Sequence, residues 1–151
     1  MLSAANLAPS WKNSQTPRFY VATGEKSKNA VREALPEFNR KNSENASAYI
    51  VTTVVLNRSG FDKDGTAVTE IGNGWGYYDL GLNNMALLLK ATELGISTLV
   101  MGIRDGEKLR KEFDIPETEA VVSVIAVGYT DSKIVRPKRK SVEDFAKFYE
   151  D

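Results

Sequence analysis

The sequence predicts an α+β fold: a three-layer, α/β-like sandwich in which a mixed, mainly antiparallel sheet is flanked by helices and one long central helix is buried. Three observations predict it. Trp75–Arg104 reads as a nearly all-apolar helix followed by a short strand. Ala48–Leu56 is an apolar, β-branched run with little alternation, the pattern of a central strand. Helix and strand patterns alternate in the order α-β-α-β-α-β-α-β-α, with roughly four strands.

In the central stretch, Leu82, Met85, Ala86 and Leu89 fall at i, i+3, i+4 and i+7, one face of a helix. Leu80, Leu87, Leu88, Ala91 and Leu94 fill much of the remaining circumference. A helix apolar nearly all round is covered on more than one side, inside a core or between two subunits. Asp79, Asn83, Asn84, Lys90 and Glu93 interrupt it too often for a bilayer span. Gly95 is placed to end it. Ile96–Met101 follows as a strand, then Gly102 and a turn at Arg104–Asp105.

The flanking elements follow from local chemistry. Met1–Ala8 looks helical and stops at Ala8–Pro9–Ser10, because a residue before proline avoids the α region. Trp11–Pro17 is a polar loop dense in amides and hydroxyls. Taken alone it is a self-hydrogen-bonded loop, and its other reading is a set of donors and acceptors aimed at a ligand edge. Arg18–Thr23 reads as a strand. Glu25–Ala34 reads as an amphipathic helix with Ala30, Val31 and Ala34 inward, ended by Pro36. Phe38–Ser47, with Asn39, Asn42 and Asn45, reads as a loop. Asn57–Gly76 is a long, glycine-spaced connection anchored by Phe61, Ile71 and Trp75; connections of this length are often functional or pack on a partner. Asp105–Phe113 is a charged helix and Ala120–Tyr129 a buried strand. Lys133–Lys140 is a basic stretch, a solvated tail by itself or an anion site. Ser141–Asp144 starts a last helix like a capping box, with Phe145, Phe148 and Tyr149 to dock it.

Composition narrows the chemistry. The 151 residues fit a single domain, 1–151. Twenty basic and twenty acidic residues cancel, so no global field favours nucleic acid or a membrane surface. No apolar run spans a membrane and no signal peptide is evident, so a cytoplasmic protein is expected. With no Cys and no His, Ser–His–Asp and Cys–His catalysis and His- or Cys-ligated zinc are excluded. Asp62–Lys63–Asp64–Gly65 lacks the later ligands of a calcium loop and reads as a solvated turn, so no metal site is expected. If the chain is an enzyme, its difficult chemistry belongs to a bound cofactor.

Several motifs together carry a resemblance. Ala8-Pro9-Ser10-Trp11-Lys12-Asn13-Ser14-Gln15 is followed by the strand Arg18-Phe19-Tyr20-Val21. Asp79-x-Gly81-x-x-Asn84 leads to Leu94-Gly95, and Leu99-Val100-Met101-Gly102-Ile103-Arg104-Asp105 comes next. Val127-Gly128-Tyr129 and Arg139-Lys140-Ser141-Val142-Glu143 close the series. In this order and spacing, from about Leu2 to the C-terminus, the motifs resemble the nitroreductase family.

The resemblance implies an FMN-dependent oxidoreductase that transfers hydride from NAD(P)H through the flavin to a nitroaromatic, quinone or similar small-molecule acceptor. It also implies an intertwined homodimer with FMN at the interface. Pro9, Ser10, Trp11, Asn13 and Asp79 would reach the flavin of the partner subunit. Asn39, with Asn42 beside it in the motif, matches an asparagine at the pyrimidine end of the ring. Val100, Met101 and Gly102 would pass the N5 edge, and Lys138 and Arg139 would hold the phosphate. The residue types suit these roles. Amides supply both donors and acceptors, and a glycine after a strand allows close backbone approach. Hydride transfer needs stacking geometry more than a protein acid or base, so no catalytic side chain is assigned.

Two departures qualify the match. The family's opening Arg-x-Ser-x-Arg segment, which grips the phosphate, is not present in this chain. One such charge-assisted contact is worth ~1.5–3 kcal/mol, roughly ten- to a hundredfold in Kd, unless Lys138–Lys140 compensates. Thr16-Pro17 stands where many relatives have Pro-Trp. Two other readings compete: a non-catalytic or degenerate flavin-binding relative with a weakened FMN site, and an interaction domain using the Asn57–Gly76 loop.

Overall fold

The computed structural model describes residues 1–132 and 135–150. Four strands, β1 (Pro17–Ala22), β2 (Ala48–Val55), β3 (Ser97–Met101) and β4 (Glu119–Gly128), form one sheet in the order β1-β2-β4-β3. The expected α+β class holds, and all three pairings are antiparallel. β2 is central, as its apolar run predicts, and Tyr49–Val54 are all buried. Val122 is an extra residue in β4, because Ser123 pairs with Thr52 while Val121 pairs with Thr53. This bulge lets Val121 and Val124 both enter the same core.

Helices cover both faces. On one side α2 (Glu25–Glu33) and α5 (Gly106–Glu112) pack Val31 and Leu109 against Tyr49, Val51 and Val124. On the other, α1 (Leu2–Ala5) and α4 (Gly74–Glu93) bring Ala5 and Leu87 onto Ile50 and Ile125. The central helix ends where expected. Gly95 adopts φ 69°, Ile96 N–H donates to Ala91 O at 2.8 Å, and Gly95 N–H to Thr92 O at 3.0 Å. These two bonds form a Schellman motif that satisfies the last carbonyls.

One expectation is narrowed and two are corrected. The apolar stripe of α4 containing Met85 and Leu89 is not the face the chain buries: these residues are 52% and 59% exposed. The inward stripe is Gly76, Asp79, Leu80, Asn83, Leu87 and Ala91. Asp79 and Asn83 belong there because their polar groups find partners inside the chain, Asn83 Nδ2 donating to Asp79 O at 3.1 Å. Second, residues 38–42 of the expected loop are helical: α3 spans Glu37–Asn42. Pro36 precedes it in an extended conformation, Glu37 opens it, and Arg40 and Lys41 close it, matching the helix dipole despite the asparagines. Third, Ser141 opens only a turn. Ser141 N–H donates to Asp144 Oδ2 at 3.0 Å, half of a capping box, but Phe145, Phe148 and Tyr149 remain exposed instead of docking. Without a surface to pack on, a single turn does not propagate. Lys133, the start of the basic stretch, lies outside the described residues.

A buried polar cluster ties β1 to the sheet. Glu119 accepts from Tyr20 Oη at 2.9 Å and from the Thr53 hydroxyl, and all three stand on the α2/α5 side. Burial, and then the Glu119 carboxylate, push the Tyr20 hydroxyl from 10.0 up to about 12. A raised value means that this stability is fully present below pH 10 and is lost as pH rises through 12. Tyr20→Phe removes one hydrogen bond to a charged acceptor, ~1.5–3 kcal/mol at neutral pH. The variant loses less further stability than the wild type between pH 10 and 12. Urea melts at stepped pH measure this, and parallel alkaline losses in the two proteins contradict it.

Candidate functional site

The loop after α1 is built on a buried carboxylate. Trp11–Asn13 forms one 3-10 turn, and Lys12, Asn13 and Gln15 take φ values of 45°, 55° and 50°. Asn tolerates this left-handed region, whereas Lys and Gln pay about 1–2 kcal/mol each. Asp79 on α4 offsets that strain. It is 2% exposed and accepts the Trp11 backbone N–H at 3.1 Å on each carboxylate oxygen. Ser59 Oγ donates to Asp79 Oδ2, and Ser14 Oγ donates to Ser59 Oγ at 3.2 Å. Gln15 N–H closes the loop on Ser10 Oγ at 3.0 Å.

Aromatic rings roof the same region. Trp11 and Trp75 lie 4.6 Å apart between centroids, Trp75 and Tyr78 5.8 Å apart edge to face, and Trp75 Nε1 donates to Thr69 Oγ1 at 2.8 Å. Gly76 allows the helix to lie this close to β2, since a Cβ there would stand 2.9 Å from Val54 Cγ2. Trp11 Nε1 is buried without a hydrogen-bond partner among the described residues. A cleft of about 500 Å³ opens beside the loop, lined in part by Ser10, Gln15, Arg18 and Asn83.

A second group of the expected residues gathers at the exit of β3. The Met101 side chain is buried, Val100 is 49% exposed, and Gly102 is exposed with nothing within 4 Å of where a Cβ would stand. Asn39 reaches across from α3 and donates from Nδ2 to Ile103 O at 3.1 Å. Arg104, in the sequence a member of the Leu99–Asp105 motif with no role assigned, straps this exit. Its guanidinium donates to Gly102 O at 3.1 Å and to Val121 O, and its Nε is buried without a partner among the described residues. The density of carbonyls around a Gly-x-Arg turn is not readable from sequence spacing.

The nitroreductase family model matches residues 1–129. The chain belongs to the nitroreductase family. Solved structures of several relatives share the fold. A nitroreductase family protein from Streptococcus pneumoniae superposes with a TM-score of 0.81 at 22% identity, covering 98% of this chain and 86% of that one. An enone reductase of gut-bacterial fatty acid saturation gives 0.83 at 19% identity, covering 97% and 83%. An oxidoreductase containing FMN gives 0.78 at 25% identity, covering 97% and 77%. Comparison with curated protein sequences gave no significant match.

Within this member of the family the expected site residues fall into separate groups. Pro9, Ser10, Trp11, Asn13 and Asp79 cluster around the loop beside β1, while Asn39, Val100, Met101 and Gly102 cluster at β3. β1 and β3 are opposite edges of the sheet, three strand spacings apart, roughly 14 Å. Asn42 lines a different cleft of about 340 Å³, with Ser97–Leu99 and Val127–Thr130. Lys138 and Arg139 are exposed on the tail and join neither group; Arg139 bonds only to Pro137 O, at 3.4 Å, among the described residues.

Proposed function

We propose that this chain is an FMN-dependent oxidoreductase that works as a homodimer, taking hydride from NAD(P)H and delivering it to a small-molecule acceptor such as a nitroaromatic or a quinone. The observation that carries the reading is the ledge at the β3 exit. There Asn39, 64 residues away in sequence, is bonded to Ile103 O beside the open backbone of Gly102. A planar ring with an amide-like edge fits such a ledge. Val100 and Ile103 offer exposed apolar surface, Gly102 lets the ring approach the backbone, and Asn39 keeps its amide oxygen for a ring N–H. The unpartnered Trp11 Nε1 supplies a further donor on the other group.

FMN, if held here, would supply the hydride-carrying chemistry between NAD(P)H and the acceptor. The chain would orient the ring, with Asn39 at the pyrimidine end and Val100–Gly102 along the N5 edge. Lys138 and Arg139 supply positive charge for the phosphate. Since the loop and the ledge sit on opposite edges of one sheet, a second copy completes each site by placing its own loop, Pro9–Asn13, against the ledge of the first. Tyr77, Tyr78, Met85 and Leu89 on α4, with Leu94 just past its end, are exposed and largely apolar, a surface suited to that association.

The test is a visible absorption and fluorescence titration of the purified chain with FMN, followed by NADH and NADPH. Saturable binding and bleaching on reduction are expected. Binding without reduction contradicts the enzymatic part, and no binding in excess FMN contradicts the whole reading.

A further inference from the structure

We propose that Asp79 and Ser59 are positioning residues that set the cofactor loop from behind, with Asp79 acting through the loop rather than touching the ligand. This inference rests on the FMN reading above and assigns a role within that site.

The geometry is a clamp. Asp79 holds the start of the loop directly, through the Trp11 N–H, and its end indirectly, through Ser59 to Ser14 Oγ. Between these anchors stand Lys12 and Asn13, both exposed and both at positive φ. Each hydroxyl is used in one direction: Ser14 donates to Ser59, and Ser59 donates to the carboxylate. Such an aligned chain polarises each member. Asp79 is buried, and each of its two oxygens is already engaged by the chain. It stands on a long helix, the rigid support that precise placement of a loop requires. Ser59 belongs to the long connection before α4, so that connection also holds the site loop in place.

The chain contains two tryptophans, Trp11 and Trp75, and they lie 4.6 Å apart. Their coupled circular dichroism band therefore reports loop placement without any cofactor. The variants are Asp79→Leu, which keeps the bulk and removes the acceptor; Asp79→Asn, which keeps an acceptor for Trp11 N–H; and Ser59→Ala, which removes one hydroxyl. Asp79→Leu is expected to abolish the tryptophan couplet and to weaken FMN binding about ten- to a hundredfold. Asp79→Asn is expected to restore the couplet and most of the affinity. Ser59→Ala is expected to lower both partially, with a cooperative melt retained.

If Asp79→Leu does not fold, Ser59→Ala decides. Wild-type FMN affinity in a folded Asp79→Leu or Ser59→Ala variant overturns the proposal, and so does an unchanged couplet. If wild-type chain binds no FMN, the functional reading fails by itself, and the couplet in the apoprotein still decides whether Asp79 holds the loop.

Discussion

Leu87→Asp abolishes folding of the chain, whereas Met85→Asp, two residues away, leaves the chain folded and stops it from self-associating. Leu87 is fully buried against Ile50, Ile125 and Ala5. Deleting a buried leucine side chain costs about 2–5 kcal/mol. An unpaired carboxylate in the same place adds several more. The sum matches the whole stability of a typical domain, about 5–15 kcal/mol. Met85 projects from the opposite face of the same helix and is half exposed. A charge there costs the isolated chain within about 0.5 kcal/mol. In the proposed homodimer that charge would be buried without a partner. Circular dichroism and sedimentation velocity separate the two effects. A Met85→Asp protein that still sediments as a dimer contradicts the assignment of this face.

The second large effect is at Gly60. Its φ is +85°, and an added Cβ would lie 2.6 Å from Gly72 O and 2.7 Å from Trp75 Cδ1. Gly60→Ala therefore adds a left-handed penalty of about 1–2 kcal/mol to an overpacking cost of about 1–3 kcal/mol. The oxygen it meets is backbone, which cannot swing aside as a side chain can. The expected result is a lower urea midpoint, displacement of Trp75 from Trp11, and faster proteolysis within residues 57–73. Gly65 is the control: φ is +84°, yet nothing lies within 4 Å of its Cβ position, so Gly65→Ala shows the conformational penalty alone. Equal losses for the two variants rule out the packing argument.

The strands were legible because their chemistry is local. β2 is a run of Val, Ile and Thr, β4 a run of Val, Ile and Ala, and Gly95 announces the end of α4. The buried stripe of α4 was not legible from hydropathy, because Asp79 is inward for reasons supplied by residues far away in sequence, Trp11 and Ser59, and Asn83 is inward because it bonds to the helix's own backbone. α3 was hidden by its asparagines, one of which reaches Ile103 across the fold. The expected last helix failed for the opposite reason. Its local capping signal is real, but helix formation also needs a surface for Phe145, Phe148 and Tyr149. The motif residues were named from sequence as candidates. Their division between two edges of the sheet was not, since strand order is a tertiary property.

The shared-site account is tested most directly by complementation between two damaged chains. Trp11→Ala damages the loop and Gly102→Val blocks the ledge, so each variant alone is expected to bind FMN poorly. In a mixed dimer, one site pairs both defects and the other pairs the intact loop of one chain with the intact ledge of its partner. Refolding the two variants together is therefore expected to restore FMN binding at one site of each mixed dimer, with reduction by NAD(P)H at that site. A refolded mixture that binds no more FMN than the separate variants, under conditions where wild-type chain binds it, contradicts a site built from two copies.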